Sequence, residues 1–120
     1  MKIEWFTDIQ LEVGDPERSA RWYRRMLGMK ASPHATDEGR ELHSASGLRL
    51  RVVLGTAQRS RQFRLGVHVA GRVEVRRWRS HIDANGGLAN PITDTPDRYG
   101  FTIADPDGYL LEFYTETPEE

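Results

Sequence analysis

Apolar and polar residues alternate strictly in the segment from Thr7 to Val13. The apolar members are Ile9, Leu11 and Val13, and the polar members are Asp8, Gln10 and Glu12. A two-residue period is that of a β-strand with one buried and one exposed face. Asp15 then precedes Pro16, the pattern of a helix N-cap followed by proline in the first turn, and apolar residues at helical spacing continue to Gly28. The sequence therefore predicts a strand followed directly by a helix.

Three more strands complete this first unit. The segments 42–45 and 48–54 flank Ser46-Gly47, which predicts a tight hairpin, and residues 29–35 form a weaker strand candidate. The predicted order is β-α-β-β-β.

The same order returns in the second half of the chain. Alternating residues 64–69 are followed by a helix from about Arg72 to Asn85, and residues 105–108 form a turn that leads into a strand over 109–114. The opening strands superpose without a gap, since 56 residues separate Asp8 from Arg64. Gly47 and Gly108 are 61 residues apart, which predicts about five extra residues in the loop 89–98. We therefore expect module one over 1–55, a linker over 56–61 and module two over 62–116, all in one domain.

Each module has one helix, which we expect to cover the apolar face of its strands. The opposite face is polar. The polar residues predicted on this face are Asp8, Gln10, Glu12, Arg49, Arg51, Arg64, His68, Glu112 and Tyr114. The expected fold class is α+β, with two tandem modules whose curled mixed sheets surround a groove and whose helices lie outside. Charges gathered in a groove favour a small-molecule partner.

Composition excludes several classes of function. With 17 basic and 18 acidic residues in 120, the formal net charge is −1, so nothing favours nucleic acid. No cysteine is present, which removes thiolate metal sites and a thiol nucleophile. The first residues lack the pattern of a signal peptide, and no later run is long enough for a membrane span. We expect a cytoplasmic protein.

Two motifs resemble a known family. The segment from Val13 to Ser19 leads to Trp22-Tyr23 and Leu27-Gly28, and Asp105-Pro106-Asp107-Gly108 is followed four residues later by Glu112. This pattern is similar to the vicinal oxygen chelate superfamily, which contains glyoxalase I, bleomycin-resistance proteins, fosfomycin-resistance enzymes and extradiol dioxygenases. The resemblance spans essentially the whole chain and implies the fold of two β-α-β-β-β modules.

The resemblance also implies where a metal would bind. Metal-dependent members place ligands on the first and last strand of each module, and these positions fall here on Asp8, Arg51, Arg64 and Glu112. A guanidinium stays protonated and has no lone pair to offer a cation. We therefore expect neither a metal nor another cofactor. The alternative is one divalent metal held by His68 and Glu112 with Asp8 or Glu12.

The two acids and two guanidiniums at these positions suggest ion pairs. Asp8 would pair with Arg51 or Arg64, and Glu112 with the other. They form either a structural network or direct contacts to a ligand. Further candidate ligand-binding residues are Gln10, Arg49, Tyr99 and Tyr114, and Trp5 is a further aromatic for stacking. His34, His43 and His81 share no metal-ligand spacing and are expected at the surface.

His68 and Glu12 occupy equivalent positions on the two opening strands. They form either an ordinary hydrogen bond or, with Glu112, the acid-base groups of an enzyme.

Three functions follow from these residues. The first is a metal-free binding protein similar to the bleomycin-resistance branch, which sequesters a natural-product-like ligand in the groove. The second is a glyoxalase-like or dioxygenase-like enzyme that uses Glu112 and His68. The third is a regulatory subunit. On resemblance alone we expect a homodimer.

Overall fold

The structure is a computed structural model that describes residues 1–36, 38–58, 60, 62–116 and 118, without the side chains of residues 34 and 35. Contacts divide the chain into two compact units, Met1–Gln58 and Arg59–Glu120. Residues 59 and 61 of the predicted linker lie outside the described part. So does the side chain of His34, which was expected at the surface.

The first unit is a four-stranded sheet with one helix. Its elements are β1 (Asp8–Val13), α1 (Pro16–Leu27), β2 (Lys30–Thr36), β3 (Gly39–His43) and β4 (Arg49–Leu54). The strand order is β1-β4-β3-β2, in which β1 runs parallel to β4 and the other neighbours are antiparallel.

The ends of α1 form as the sequence predicts. The Asp15 side chain accepts a hydrogen bond from the backbone N–H of Arg18 at 3.1 Å, and Pro16 occupies the first turn. Gly28 ends the helix with φ of 67°, a left-handed conformation that glycine adopts without steric cost. Tyr23 is the fully buried aromatic of the helix, whereas the adjacent Trp22 is only half-buried.

The second unit repeats this order. Its elements are β5 (Arg64–His68), α2 (Arg72–Ala84), β6 (Thr93–Asp94), β7 (Tyr99–Ala104) and β8 (Leu110–Thr115). The strand order is β5-β8-β7-β6, again with one parallel pair, β5 with β8. The predicted repeat of β-α-β-β-β and the α+β class are confirmed, and β6 falls within the loop predicted to contain the insertion.

The turn before β8 is held by Asp105. One of its carboxylate oxygens accepts the backbone N–H groups of Asp107 and Tyr109, both at 2.9 Å, and Gly108 has φ of 92°. A glycine suits this left-handed position. The turn therefore fixes where β8 begins and which of its residues point to each face.

Each helix covers the apolar face of its own sheet. The buried strand residues are Leu11, Val13, Leu42, Leu50 and Val52 in the first unit and Phe101, Ile103, Leu111 and Phe113 in the second. In the second unit the Phe113 ring stacks on Phe101 at 5.1 Å and lies 5.3 Å from Trp78 of α2. Leu65 and Val67 of β5 are half-buried, whereas Leu11 and Val13 of the equivalent strand β1 are buried.

No described helix has both the length and the apolar character that crossing a bilayer requires.

Candidate functional site

The polar face of the first unit follows from its strand register. Asp8 lies beside Arg49 and Gln10 beside Arg51 across β1 and β4, and Glu41 of β3 lies opposite Arg51. Because neighbouring positions across a sheet point to the same side, these five side chains share one face. The buried leucine and valine side chains of the same strands occupy the other.

Arg51 is the centre of this face and contacts two carboxylates. Its Nε donates to Oε1 of Glu41 at 3.1 Å, and its Nη2 lies 3.2 Å from Oδ2 of Asp8. Glu41 is the most buried of the three side chains, at 16% exposed against 41% for Arg51. We call Asp8, Glu41 and Arg51 the Arg51 cluster. It holds one more negative than positive charge.

Glu41 is held in its charged form. The hydrogen bond from Arg51 lowers the pKa of its carboxyl, burial opposes this, and a hydrogen bond with Ser32 lowers the pKa further. The net result is a pKa below the usual range of a glutamate. Ser32 also lies 3.2 Å from Nδ1 of His43. His43, expected at the surface, is thus half-buried on the polar face of β3.

A shallow cavity of about 200 Å³ opens beside the Arg51 cluster. Its lining residues are Thr36, Gly39, Arg40, Glu41, Arg51 and Val53. The cavity gives a small ligand access to one side of the cluster.

The second unit has a centre of the opposite sign. Glu112 of β8 is 13% exposed, and each of its carboxylate oxygens contacts a guanidinium. Oε1 accepts from Nη1 of Arg98 at 2.7 Å, and Oε2 lies 3.7 Å from Nη1 of Arg64. We call Arg64, Arg98 and Glu112 the Glu112 cluster. It holds one more positive than negative charge.

Arg98 is fixed by an aromatic ring as well as by Glu112. Its guanidinium carbon lies 3.9 Å from the ring centroid of Tyr114, within cation–π distance. Burial lowers the pKa of this guanidinium, but the charge and hydrogen bond of Glu112 outweigh burial, and the pKa stands above its ordinary value. The rings of Tyr114 and His68 meet in a T-shaped arrangement with centroids 5.5 Å apart. One face of the Tyr114 ring is therefore already covered by Arg98.

Tyr99 and Tyr114, two of the candidate ligand-binding residues, lie on opposite faces of the second sheet, so the structure does not bring them together. Tyr99 is opposite Thr115 in the register, and Thr115 is fully buried on the helix side. The guanidinium of Arg72 covers the Tyr99 ring at 4.5 Å, and Arg76 donates to its hydroxyl at 3.3 Å. Both arginines belong to α2. Thr115, the partner of Tyr99, is the residue next to Tyr114, and successive residues of a strand point to opposite faces of the sheet.

The expected ion pairs are present, one within each unit. Arg51 pairs with Asp8, and Arg64 pairs with Glu112. The third member of each cluster, Glu41 or Arg98, was not among the predicted site residues. Glu41 lay outside the predicted strand 42–45, and the observed register, with His43 beside Arg49, differs by one residue from that of a hairpin with Ser46-Gly47 alone at its turn. Arg98 had no signal in the sequence, since it precedes β7 in a loop.

The roles of the remaining candidates stay predictions. Gln10 and Arg49 are exposed on the polar face of the first sheet, and Trp5 is 71% exposed before β1. Glu12 belongs to the first unit and His68 to the second, and their pairing stays a prediction.

The residues at the implied metal positions do not fit a divalent cation. Arg51 and Arg64 offer no lone pair, and each contacts the carboxylate that would otherwise bind the ion. Within the described part of the chain, no three His, Asp or Glu side chains form a group able to hold a metal.

Known proteins share this fold and sequence pattern. The family model of the glyoxalase/bleomycin resistance protein/dioxygenase superfamily matches residues 3–113. A curated relative from Bacillus subtilis, described as a probable trivalent organoarsenical cleaving enzyme, is 27% identical over 96% of this chain and 83% of that protein.

Two solved structures show the same fold. A possible glyoxalase from Bacillus cereus has a TM-score of 0.80 at 18% identity, over 92% of this chain and 98% of that one. Lactoylglutathione lyase from Agrobacterium tumefaciens has a TM-score of 0.80 at 13% identity, over 96% of both chains. The chain therefore belongs to the glyoxalase/bleomycin resistance protein/dioxygenase superfamily.

Proposed function

We propose that this protein is a metal-free small-molecule-binding protein, similar in its action to bleomycin-resistance proteins, which sequesters a natural-product-like ligand without transforming it. The observation that carries the proposal is a pair of salt bridges at the positions where the resemblance implies metal ligands. Arg51 contacts the carboxylate of Asp8, and Arg64 contacts the carboxylate of Glu112.

The chemistry of the paired groups favours binding over metal catalysis. A divalent cation at Asp8 would stand within a few ångströms of Arg51, and one at Glu112 would meet both Arg64 and Arg98. Like charges at such distances repel strongly where water is partly excluded. The same guanidiniums suit recognition, because they present several N–H donors in a fixed plane. No cofactor enters this proposal.

Elemental analysis of the purified protein tests the proposal directly. We expect no stoichiometric divalent metal, no change of Tm with a chelator, and a rise of Tm with one class of natural product in a thermal-shift panel. A metal bound in a one-to-one ratio would overturn the proposal.

A single substitution tests whether the guanidinium of Arg51 is what prevents a metal from binding. Arg51→His removes the guanidinium and places an imidazole between Asp8 and Glu41, which makes three candidate ligands on one face. Zinc should raise the Tm of this variant and leave the wild type unchanged. If the variant gains no zinc binding, Arg51 is not the residue that keeps metal away.

An enzyme is the second candidate, favoured by two observations. The relative from Bacillus subtilis is described as an organoarsenical cleaving enzyme. In this chain the Tyr114 ring contacts both His68 and Arg98 of the Glu112 cluster, and His68 and Glu112 share one face of the second sheet. Trivalent arsenic is a soft centre that prefers thiolates, and the 120 residues contain none.

Turnover assays distinguish the two candidates. A trivalent organoarsenical and lactoylglutathione are the trial substrates, each supplied with and without iron, manganese or zinc. If the protein is an enzyme, His68→Ala and Glu112→Gln abolish turnover while the circular dichroism spectrum is retained. If it is a binding protein, no condition gives turnover.

The family resemblance also supports a homodimer, which light scattering after gel filtration tests.

A further inference from the structure

We propose that the Glu112 cluster is an anion-binding site, which holds a phosphate, phosphonate or carboxylate group of the ligand. The inference rests on the proposed function and narrows the class of ligand that the protein takes.

The first support is the balance of charge at the cluster. Two guanidiniums share the inner carboxylate of Glu112, and the further carboxylate that contacts them is the exposed Glu116, 3.5 Å from Nη2 of Arg98. The Glu112 carboxylate is 13% exposed, whereas the side chains of Arg64 and Arg98 are 49% and 41% exposed. The Glu112 carboxylate is therefore on the inner side of the cluster, and the guanidiniums of Arg64 and Arg98 both reach solvent. An anionic group that arrives from solvent reaches both guanidiniums once it displaces the exposed Glu116 carboxylate.

The second support is the supply of hydrogen-bond donors. Each guanidinium has five N–H donors. The contacts of the described residues engage Arg98 through Nη1 with Glu112 and through Nη2 with Glu116, and Arg64 through Nη1 alone. Donors of both arginines are thus left for a ligand with several oxygens, and such charge-assisted bonds are strong.

The third support is that Arg98 is held in place before a ligand binds. The Tyr114 ring lies against its guanidinium, and Glu112 bonds its Nη1. A long side chain that is already ordered loses less conformational entropy on binding. Glu116, 64% exposed and 3.5 Å from Nη2, is the group that an incoming anion would displace.

The Arg51 cluster lacks these properties. It has one guanidinium for two carboxylates, and both carboxylates are well covered, at 34% exposed for Asp8 and 16% for Glu41, whereas the second carboxylate at Arg98, that of Glu116, is 64% exposed. The anion site is therefore specific to the second unit.

Inorganic phosphate is the probe for the test. Thermal unfolding and NMR spectra of the arginine Nε–Hε groups are recorded during a phosphate titration, with sodium chloride keeping the ionic strength constant. In the wild type we expect a saturable rise of Tm and saturable shifts of the Arg64 and Arg98 signals. Because the ionic strength is constant, the screening of charges by salt is the same at every point of the titration and does not change the Tm.

Substitutions assign the binding to the cluster. Arg64→Gln and Arg98→Gln should each weaken phosphate binding by about tenfold or more, because each loses charge-assisted donors. The matched control is Arg77→Gln on α2, a 75% exposed guanidinium paired only with Glu74 within the described contacts. It removes the same charge and should leave the phosphate affinity unchanged.

The variant Glu112→Gln distinguishes between two roles of the cluster, an anion-binding site and a purely structural network of ion pairs. Removal of the inner carboxylate leaves two uncompensated guanidiniums, so the phosphate affinity should rise by about tenfold. If this variant does not fold without phosphate, Glu116→Gln provides the same comparison and should raise the affinity a few-fold.

Two results overturn the inference: a wild type without a saturable response to phosphate, or arginine variants that respond as Arg77→Gln does. A protein that ignores phosphate but is stabilised by a neutral ligand is a binding protein without this anion site. A protein that binds phosphate through these arginines and also carries metal has the anion site but not the proposed function.

Discussion

Each of the two units has an ion pair at equivalent strand positions of its polar face, with the signs reversed. In the first, the cation Arg51 lies between two carboxylates, and in the second the anion Glu112 lies between two guanidiniums. The paired strand positions are equivalent in the repeat, Asp8 with Arg64 and Arg51 with Glu112. The repeated fold therefore fixes where the charges lie but not their sign. An ion pair needs only opposite charges at the two positions, so either order satisfies it.

The third member of each cluster shows a second difference. Glu41 comes from β3, the neighbour of β4 in the sheet, so the strand register fixes its position. Arg98 precedes β7 and reaches Glu112 along the sheet, with the Tyr114 ring as its support. The first cluster is therefore built from backbone pairing, and the second depends on a side chain that packing holds in place.

The largest effect should come from reversing the central charge of the first unit. Arg51→Glu places a third carboxylate beside Asp8 and Glu41, and we expect the free energy of unfolding to fall by about 2 kcal/mol, since the site is only partly buried. Adding Asp8→Arg copies the charge order of the second unit and should restore about 1 kcal/mol. Urea unfolding of the two single variants and the double variant measures this coupling.

The control for this cycle is Arg21→Glu on α1, where the guanidinium is 61% exposed. It should cost less than about 0.5 kcal/mol. If the double variant is no more stable than the sum of the single variants predicts, the two positions are not coupled and the two units are not equivalent.

A smaller effect follows from the lowered pKa of Glu41. A carboxyl whose pKa is lower in the folded than in the unfolded protein contributes stability above the unfolded pKa. That contribution is lost as the pH falls through the folded pKa. The wild type should therefore lose more stability than Glu41→Gln when the pH falls from about 6 to about 3. Urea unfolding at both values measures the difference, and a gap between the two proteins that does not change with pH would contradict it.

The fold was predictable because local patterns agreed with one another along the chain. The period of β1, the cap at Asp15, the glycine at Gly28 and the turn at Asp105 each determine their own element, and all four are present. Burial was less predictable. Trp22 is half-buried beside the fully buried Tyr23, because the pattern gives the helix face but not which aromatic points to its centre.

The site was predictable only where strand register determines it. The family resemblance gave the positions Asp8, Arg51, Arg64 and Glu112, and the observed contacts select Asp8–Arg51 and Arg64–Glu112 from the two pairings left open. Arg98 depends on the path of a loop, and loops have no period to read. The face of Tyr99, the first residue of β7, was not determined by the sequence until its partner in β8 was known.

Tyr99 offers the smallest effect and tests whether the polar face alone binds the ligand. Tyr99→Phe removes one hydroxyl, which accepts a bond from Arg76 in an exposed position, so stability should change by less than about 0.5 kcal/mol. The phosphate affinity should not change, because Tyr99 faces α2. Tyr114→Leu removes the ring under Arg98 and should weaken phosphate binding a few-fold, since Arg98 is then ordered only on binding. Isothermal titration of both variants makes the comparison. Equal losses would mean that the two faces of the second sheet do not differ in function.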